Sequence, residues 1–315
     1  MEPTKPSKVQ TPDSEGLLQA AQIIRASGTV AVPTETVYGL AARADDDGAV
    51  AGIYRAKGRP DFNPLIVHVP DVTAAHRLAV FDDRANTLAD AFWPGPLTMV
   101  LPRRDDAGLA AAVSAGLPTV AIRCPAHPVM LALLKNCGYP LAAPSANRSG
   151  GVSPTSAAHV ADSLGDRVDL ILDGGATAQG IESTIVALRD DGSWAILRPG
   201  PVTEAQIAGV LGGVSAAMTS SKIEAPGQLA SHYAPGKPVR LEAANAAADE
   251  FMIGFDKVAG AVSLSPTGDL AEAAARLYAC LHLGATAEQP RIAIAPIPHD
   301  GIGVAINDRL RRAAA

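Results

Sequence analysis

TVAVPTETVYGLAARADDDGAVAGIYRAKGRPDFNPLIVHV, residues 29–69, carries in one passage the signals of strand, turn, helix, loop and strand. Val30-Ala31-Val32 reads as a buried strand that runs into a hydroxyl-rich turn, Pro33-Thr34-Glu35-Thr36. A helix over 47–57 follows, opened by the carboxylates of Asp45-Asp46-Asp47, which suit a helix N-terminus. Lys57-Gly58-Arg59-Pro60 then leads into a second strand, Leu65-Ile66-Val67-His68-Val69. A Thr-rich turn at a strand end, a loop with two cations and one histidine at strand depth together describe a site for a small polar ligand and a phosphate, which puts an enzyme first among the classes.

Further strands are expected at 97–101, 118–123, 140–143, 169–172, 184–188 and 194–197, and helices near 17–24, 83–92, 128–136, 155–164 and 203–211. Some strands follow one another too closely for an intervening helix, so an α/β fold with a mixed sheet is expected rather than a strictly parallel one. Residues 212–236 are rich in Gly, Ser, Ala and Pro without period and read as a linker. Beyond it PVRLE, AGAVSLS and RIAIAPI read as strands, with helices near 243–252, 269–283 and 303–313, making a small Rossmann-like βα unit. The expected division is a flexible tail at 1–14, a catalytic domain at 15–211, the linker or lid at 212–236 and a small C-terminal α/β domain at 237–315.

The chain has 315 residues, a hydrophobic fraction of 48%, 18% charged residues and a net charge of −6. That length supports a real core in two domains, and the acidic balance argues against a chain whose main work is coating nucleic acid. Cys124, Cys137 and Cys280 are too few and too scattered for a disulfide framework and read as buried or free thiols. The polar start lacks the apolar middle of a signal peptide, and no run of about 18 apolar residues is present to span a membrane. A cytoplasmic protein without membrane contact is expected.

Taken one at a time, the candidate residues have ordinary alternatives. Lys57 in the last turn of a helix also satisfies the helix dipole. Arg59, held between Gly58 and Pro60 with Asn63-Pro64 after it, fits a polyphosphate better. His68 shares a strand face with Ile66, and a satisfied core histidine is the usual outcome there, although its place near the strand end, just before Pro70, tilts it toward a site rim. In Thr119-Val120-Ala121-Ile122-Arg123, Thr119, Ala121 and Arg123 share one face, so Arg123 suits either a ligand carboxylate or a carboxylate of the protein itself. Ala142-Ala143-Pro144-Ser145-Ala146-Asn147 makes a floor of small residues on which Ser145 and Asn147 supply hydrogen bonds. Ser153-Pro154-Thr155 serves equally as a helix cap. Glu182-Ser183-Thr184 opens a strand, Arg198 ends one, and Ser231-His232-Tyr233 places rings in a small-residue linker, which implies that this segment docks. A P-loop, H-E-x-x-H, a zinc-spaced His/Cys set and G-x-S-x-G are all missing, and Gly301-Ile302-Gly303 reads as a turn.

In chain order PTETVYGL, AKGRP, NPLIVHV, FWPGPLT, TVAIRCPAH, APSAN, SPTS, IESTIV and LRPG resemble the YrdC-like family of threonylcarbamoyl-AMP synthases, over about residues 15 to 210. HYAP and the C-terminal layout resemble its long, two-domain form. The resemblance implies a YrdC-like twisted mixed sheet and a nucleotidyltransferase that joins L-threonine, bicarbonate and ATP into threonylcarbamoyl-AMP and pyrophosphate. The product passes to a separate tRNA-modifying transferase, with a weak tRNA contact as a further expectation. Carried over by position, Thr36, His68, Arg123, Ala143 and Ser183 hold threonine. Arg59, Asn63, Thr119, Ser145, Asn147, Ser153 and Arg198 hold ATP, with Lys57 beside the phosphates as the second catalytic cation next to Arg59. Ser231, His232 and Tyr233 close over the nucleotide. Mg2+ arrives with ATP, no protein side chain binds metal, and no organic cofactor is implied. The alternatives are a carbamoyl-transferring relative, whose zinc-finger and acylphosphatase-like regions are absent here, and an RNA-binding module associated with translation.

Overall fold

The computed structural model describes residues 8–58, 63–216, 224–228 and 232–315. Among them the strands are β1 (Val9–Gln10), β2 (Val30–Pro33), β3 (Tyr38–Arg43), β4 (Ile66–His68), β5 (Leu97–Pro102), β6 (Thr119–Arg123), β7 (Leu141–Ala142), β8 (Leu170–Leu172), β9 (Thr184–Leu188), β10 (Trp194–Arg198), β11 (Val239–Arg240), β12 (Glu250–Gly254), β13 (Val262–Ser263) and β14 (Arg291–Ile294). The helices are α1 (Ser14–Arg25), α2 (Asp47–Lys57), α3 (Val72–His76), α4 (Asp83–Phe92), α5 (Ala111–Ser114), α6 (Pro128–Cys137), α7 (Ala157–Leu164), α8 (Glu204–Leu211), α9 (Leu270–Thr286) and α10 (Gly303–Ala313).

The first ten strands form one sheet in the order β1-β8-β2-β3-β7-β4-β6-β5-β9-β10, with parallel and antiparallel neighbours mixed as the strand spacing requires. One face is covered by α2, α4, α7 and α8, whose apolar residues meet Leu65, Val67, Val120, Ile122 and Met99. Half of the other face is covered by α1 and α6. The other half carries Ile66, Val100, Ala121, Ile185, Ala187 and Leu197, and what packs on it within that cluster is Ala225 of the linker. A sheet face without a helix above it leaves room for a ligand.

Local chemistry sets the element ends. The Asp46 side chain accepts from Ala49 N to start α2, and Gly58, at φ 60°, ends it in the left-handed conformation. Thr203 and Gln206 complete a capping box at α8. Helix α7 begins after Ser156, which caps it and leaves Ser153 for other work.

Three expectations fail. Tyr38-Gly39-Leu40-Ala41-Ala42-Arg43 is a strand, hidden from sequence reading by its small residues; it is held by antiparallel pairing with β2 across the tight Thr34 turn. Val9-Gln10, placed in the tail, adds a strand beside β8. The Ala-rich stretch 243–252 is not a helix: it turns and then enters β12, because Met252 and Ile253 are needed between β13 and β14. Sheet burial there overrides helix propensity.

The second sheet is parallel throughout, ordered β11-β14-β12-β13, with α9 packed on β12 and β14 and against α10. Its core continues into the first layer through Val37, Val152 and Ile181, and through Tyr233 of the linker. At Gly180, φ is +70° and a Cβ would stand 2.4 Å from Ala274 O and Ala275 Cα, so only glycine lets this loop lie on α9.

Candidate functional site

A cavity opens where β2, β4, β6, β7 and β10 end and β9 begins. It is lined by Thr34, Thr36, Val37, Gly39, Ile66, His68, Arg123, Ala143, Pro144, Ser145, Glu182, Ser183 and Arg198, and closed by Pro226, Gly227, His232 and Tyr233 of the linker. The register of β4 and β6 sets Ile66 beside Ala121 and His68 beside Arg123. The two alternating strand faces read from sequence are therefore one face. A roomier cleft between α3 and the end of α6 lacks these converging buried groups.

Arg123 is buried and held by three protein oxygens. Nε donates to Gly95 O at 3.1 Å, Nη1 to Thr36 Oγ1 at 3.0 Å and Nη2 to Glu35 Oε1 at 2.6 Å. Of the two partners weighed for it, the protein's own carboxylate is supplied by Glu35. Both terminal nitrogens keep N–H groups beyond these bonds. Burial works against a charge on Glu35, but the Arg123 guanidinium outweighs it and holds the carboxyl below its ordinary value. Thr34 Oγ1 donates to Val37 O and accepts from Val37 N, folding the turn that presents Thr36.

His68 is fully enclosed, and its Nδ1 has no hydrogen-bond partner. Burial first, then the neighbouring Arg123 charge, pushes its pKa down to about 3, so the ring is neutral near pH 7. Such an orphaned nitrogen in a cavity wall is a contact held ready for a ligand.

On the far wall Arg198 donates from Nε and Nη2 to Ser183 O at 3.1 and 3.0 Å, and from Nη2 to Ser183 Oγ at 3.2 Å. Ser183 Oγ also shares a hydrogen bond with Thr98 Oγ1. Gly227 lies over Arg198 at φ +85°, where a Cβ would meet Arg198 Cδ at 2.8 Å. Ser153 Oγ donates to Glu182 Oε1 at 2.5 Å.

The structure thus brings Thr36, His68, Arg123, Ala143, Ser145, Ser183, Arg198, His232 and Tyr233 to one cavity. Asn63, Thr119, Asn147 and Ser153 do not line it, and Thr119 sits at the opposite end of β6 from Arg123. Arg59 and Ser231 lie outside the described residues. Lys57 is buried and outside the residues that line the cavity, and its ammonium donates to the carbonyls of Ser145 and Asn147, holding the small-residue loop. Sequence reading missed Glu35, Glu182, Gly227, Tyr278 and Arg309. Glu35 and Glu182 stood inside quoted motifs, whereas nothing in α9 or α10 distinguishes Tyr278 or Arg309 before the chain is folded.

Among the described residues no group of three or more His, Cys, Asp or Glu side chains is placed to hold a metal ion, and no helix is long and apolar enough to cross a membrane. All three cysteines are buried and unpaired with one another.

A mixed-sheet α/β protein whose strand ends converge two buried arginines and a neutral histidine under a docked linker is built to bind an anionic substrate away from water. A family model described as "Telomere recombination" (Sua5, YciO and YrdC) matches residues 22–200, and one described as "Threonylcarbamoyl-AMP synthase, C-terminal domain" matches residues 202–315. The threonylcarbamoyl-AMP synthase of Bacillus subtilis is 40% identical over 322 residues, 95% of this chain and 92% of the relative. That of Pyrococcus abyssi is 44% identical over 228 residues, 70% of this chain and 66% of the relative. The crystal structure of P. abyssi Sua5 complexed with L-threonine superimposes with a TM-score of 0.87 at 35% identity, covering 95% of this chain and 94% of that one. The chain belongs to the Sua5/YciO/YrdC family of threonylcarbamoyl-AMP synthases, in its two-domain form.

Proposed function

We propose that the chain is an L-threonylcarbamoyladenylate synthase, a nucleotidyltransferase that condenses L-threonine, bicarbonate and ATP and releases pyrophosphate. The observation that carries this reading is the convergence of His68 and Arg123 with Ser183 and Arg198 in one covered cavity, in a chain similar along nearly its whole length to the B. subtilis synthase.

The chemistry asks little covalent work of the protein. The neutral amine of threonine takes up bicarbonate, with loss of water, to give a carbamate. A carbamate oxygen then attacks the α-phosphorus of ATP, and pyrophosphate leaves. Alignment and cations against developing charge supply the catalysis. Thr36, His68, Arg123, Ala143 and Ser183 form the threonine subsite, in which N–H groups left on Arg123 take the carboxylate. The methyl group of threonine, against serine, contributes about 1–3 kcal/mol of discrimination in an apolar contact such as Ala143 offers. Arg198, Ser145, Asn147, Ser153, His232 and Tyr233 serve the nucleotide, with Asn63 and Thr119 along its outer length. Arg59 remains the further cation of this reading, and Lys57 acts through the loop that it clamps.

Magnesium enters as part of the MgATP substrate with mostly water ligands. The carboxylates nearest the cavity, Glu35 and Glu182, are each committed to an arginine. In this reading the product goes on to a separate transferase that modifies tRNA, and the work is done in the cytoplasm. The division at 15–211, 212–236 and 237–315 belongs to the same reading, with the linker as the lid. Pyrophosphate release from the purified chain with MgATP and bicarbonate tests it: release that needs L-threonine supports the synthase, and release indifferent to threonine overturns it.

A further inference from the structure

Glu182 is where the C-terminal layer reaches the cavity wall. Its Oε1 accepts from Ser153 Oγ, and its Oε2 accepts from Tyr278 Oη on α9 at 2.8 Å and from Arg309 Nε on α10 at 2.9 Å. Arg309 is completely buried, and its own position is fixed from behind: Nη1 donates to Asp308 Oδ2 at 2.8 Å, and Asp308 is paired in turn with Arg312. The ring of Tyr233 in the linker lies beneath the Arg309 guanidinium, 5.4 Å from it.

Two buried arginines therefore stand near one buried carboxylate, and only one takes it. Arg198 makes no ion pair with Glu182; its N–H groups go to Ser183, on the cavity wall. We propose that Arg309 is a positioning residue for the nucleotide subsite: by neutralising Glu182 from the C-terminal domain, it keeps Arg198 from collapsing onto that carboxylate and leaves it for the phosphates. This inference rests on the adenylate-forming reading and assigns the C-terminal domain an electrostatic part in it. The charges are coupled as this requires. Burial opposes ionisation of Glu182, yet Arg309 first and Arg198 second bring its pKa down to about 2. With Arg309 gone, Arg198 is the remaining cation able to compensate a fully enclosed carboxylate, and an uncompensated buried charge is costly enough to move it.

The test is calorimetric titration of MgATP into full-length wild type, Arg309→Ala, Arg309→Lys, Glu182→Gln and the double variant Arg309→Ala/Glu182→Gln. The expected order is a loss of about tenfold or more for Arg309→Ala, with Arg309→Lys and the double variant recovering most of that loss. Urea unfolding of the same proteins separates this role from a merely structural one: the loss of MgATP affinity is expected in Arg309→Ala protein that is still folded under the conditions of the titration. A double variant as weak as Arg309→Ala, or an Arg309→Ala protein that binds as wild type does, overturns the proposal. If Arg309→Ala does not fold, Arg309→Lys and the double variant decide: a tenfold loss in both contradicts it. Wild type that binds no MgATP fails the adenylate-forming reading itself, an outcome distinct from the wrong order among variants.

Discussion

Arg123 is placed before any ligand arrives, by Gly95 O, Thr36 Oγ1 and Glu35 Oε1, so a substrate carboxylate meets a guanidinium that has little orientation left to lose. Arg123→Ala is expected to raise the KM for L-threonine by about tenfold or more while MgATP affinity stays close to that of wild type, because a charge-assisted bidentate contact is lost on one side of the cavity only. Steady-state kinetics with threonine varied, beside calorimetry with MgATP, reads both. His68 gives a pH prediction. Its pKa is near 3 in the folded chain and 6.5 in the ordinary state, so between these values the unfolded chain binds a proton that the folded chain refuses. Stability thus falls as pH drops from about 6.5 toward 3, at up to about 1.4 kcal/mol per pH unit from this group. Urea unfolding between pH 7 and 4.5 should show a shallower decline for His68→Asn than for wild type. At this scale the sequence revealed the residue types and the two strand faces. It could not reveal that Glu35 answers Arg123, since a partner across a turn is chosen by packing that no spacing encodes.

At the level of elements, Lys57 and the loop after β7 form one unit. Helix α2 delivers the ammonium, and the carbonyls of Ser145 and Asn147 receive it, so the small-residue floor is fixed to the helix. Lys57→Met leaves two carbonyls without their charged donor and is expected to lower stability by about 2 kcal/mol or more, with a higher KM for ATP. Thermal unfolding and kinetics check the two effects together. Gly180→Ala forces a Cβ into the backbone of α9 and should loosen the contact between the sheets, read as faster amide exchange at Ile181 and Glu182. Period-two runs and caps made most of these elements legible in advance. Of the strands that escaped, β1 lies in the polar start, β3 is built of small residues and β12 follows an Ala-rich stretch that favours helix, and their neighbours in the sheets hold them there.

Over the whole molecule the second domain is continuous with the site. Val37, Val152 and Ile181 belong to its apolar core, and Glu182 takes its polar groups. The linker runs between: Ala225 packs on the bare half of the first sheet, Gly227 lies over Arg198, and Ala234 N donates to Gly150 O at 2.8 Å. Deleting residues 212–315 is expected to weaken ATP retention and let product escape, with the first sheet's cores over α1, α2, α4 and α6 intact. Unchanged nucleotide affinity and product retention in the truncated chain would sink the lid. The order of the motifs made the first domain and its class of substrate legible. The role of the second was not, because Tyr278 and Arg309 acquire meaning only when docking carries them to a carboxylate 96 and 127 positions away.

The reaction turns on a carbamate of threonine attacking ATP. The purified chain should be incubated with MgATP, L-threonine and carbon-13 bicarbonate, and the nucleotide product identified by mass spectrometry. A threonylcarbamoyl adenylate carrying the label, formed only when threonine is present and in step with pyrophosphate, is the predicted result. An adenylate without the labelled carbon, or pyrophosphate released equally without threonine, would contradict it.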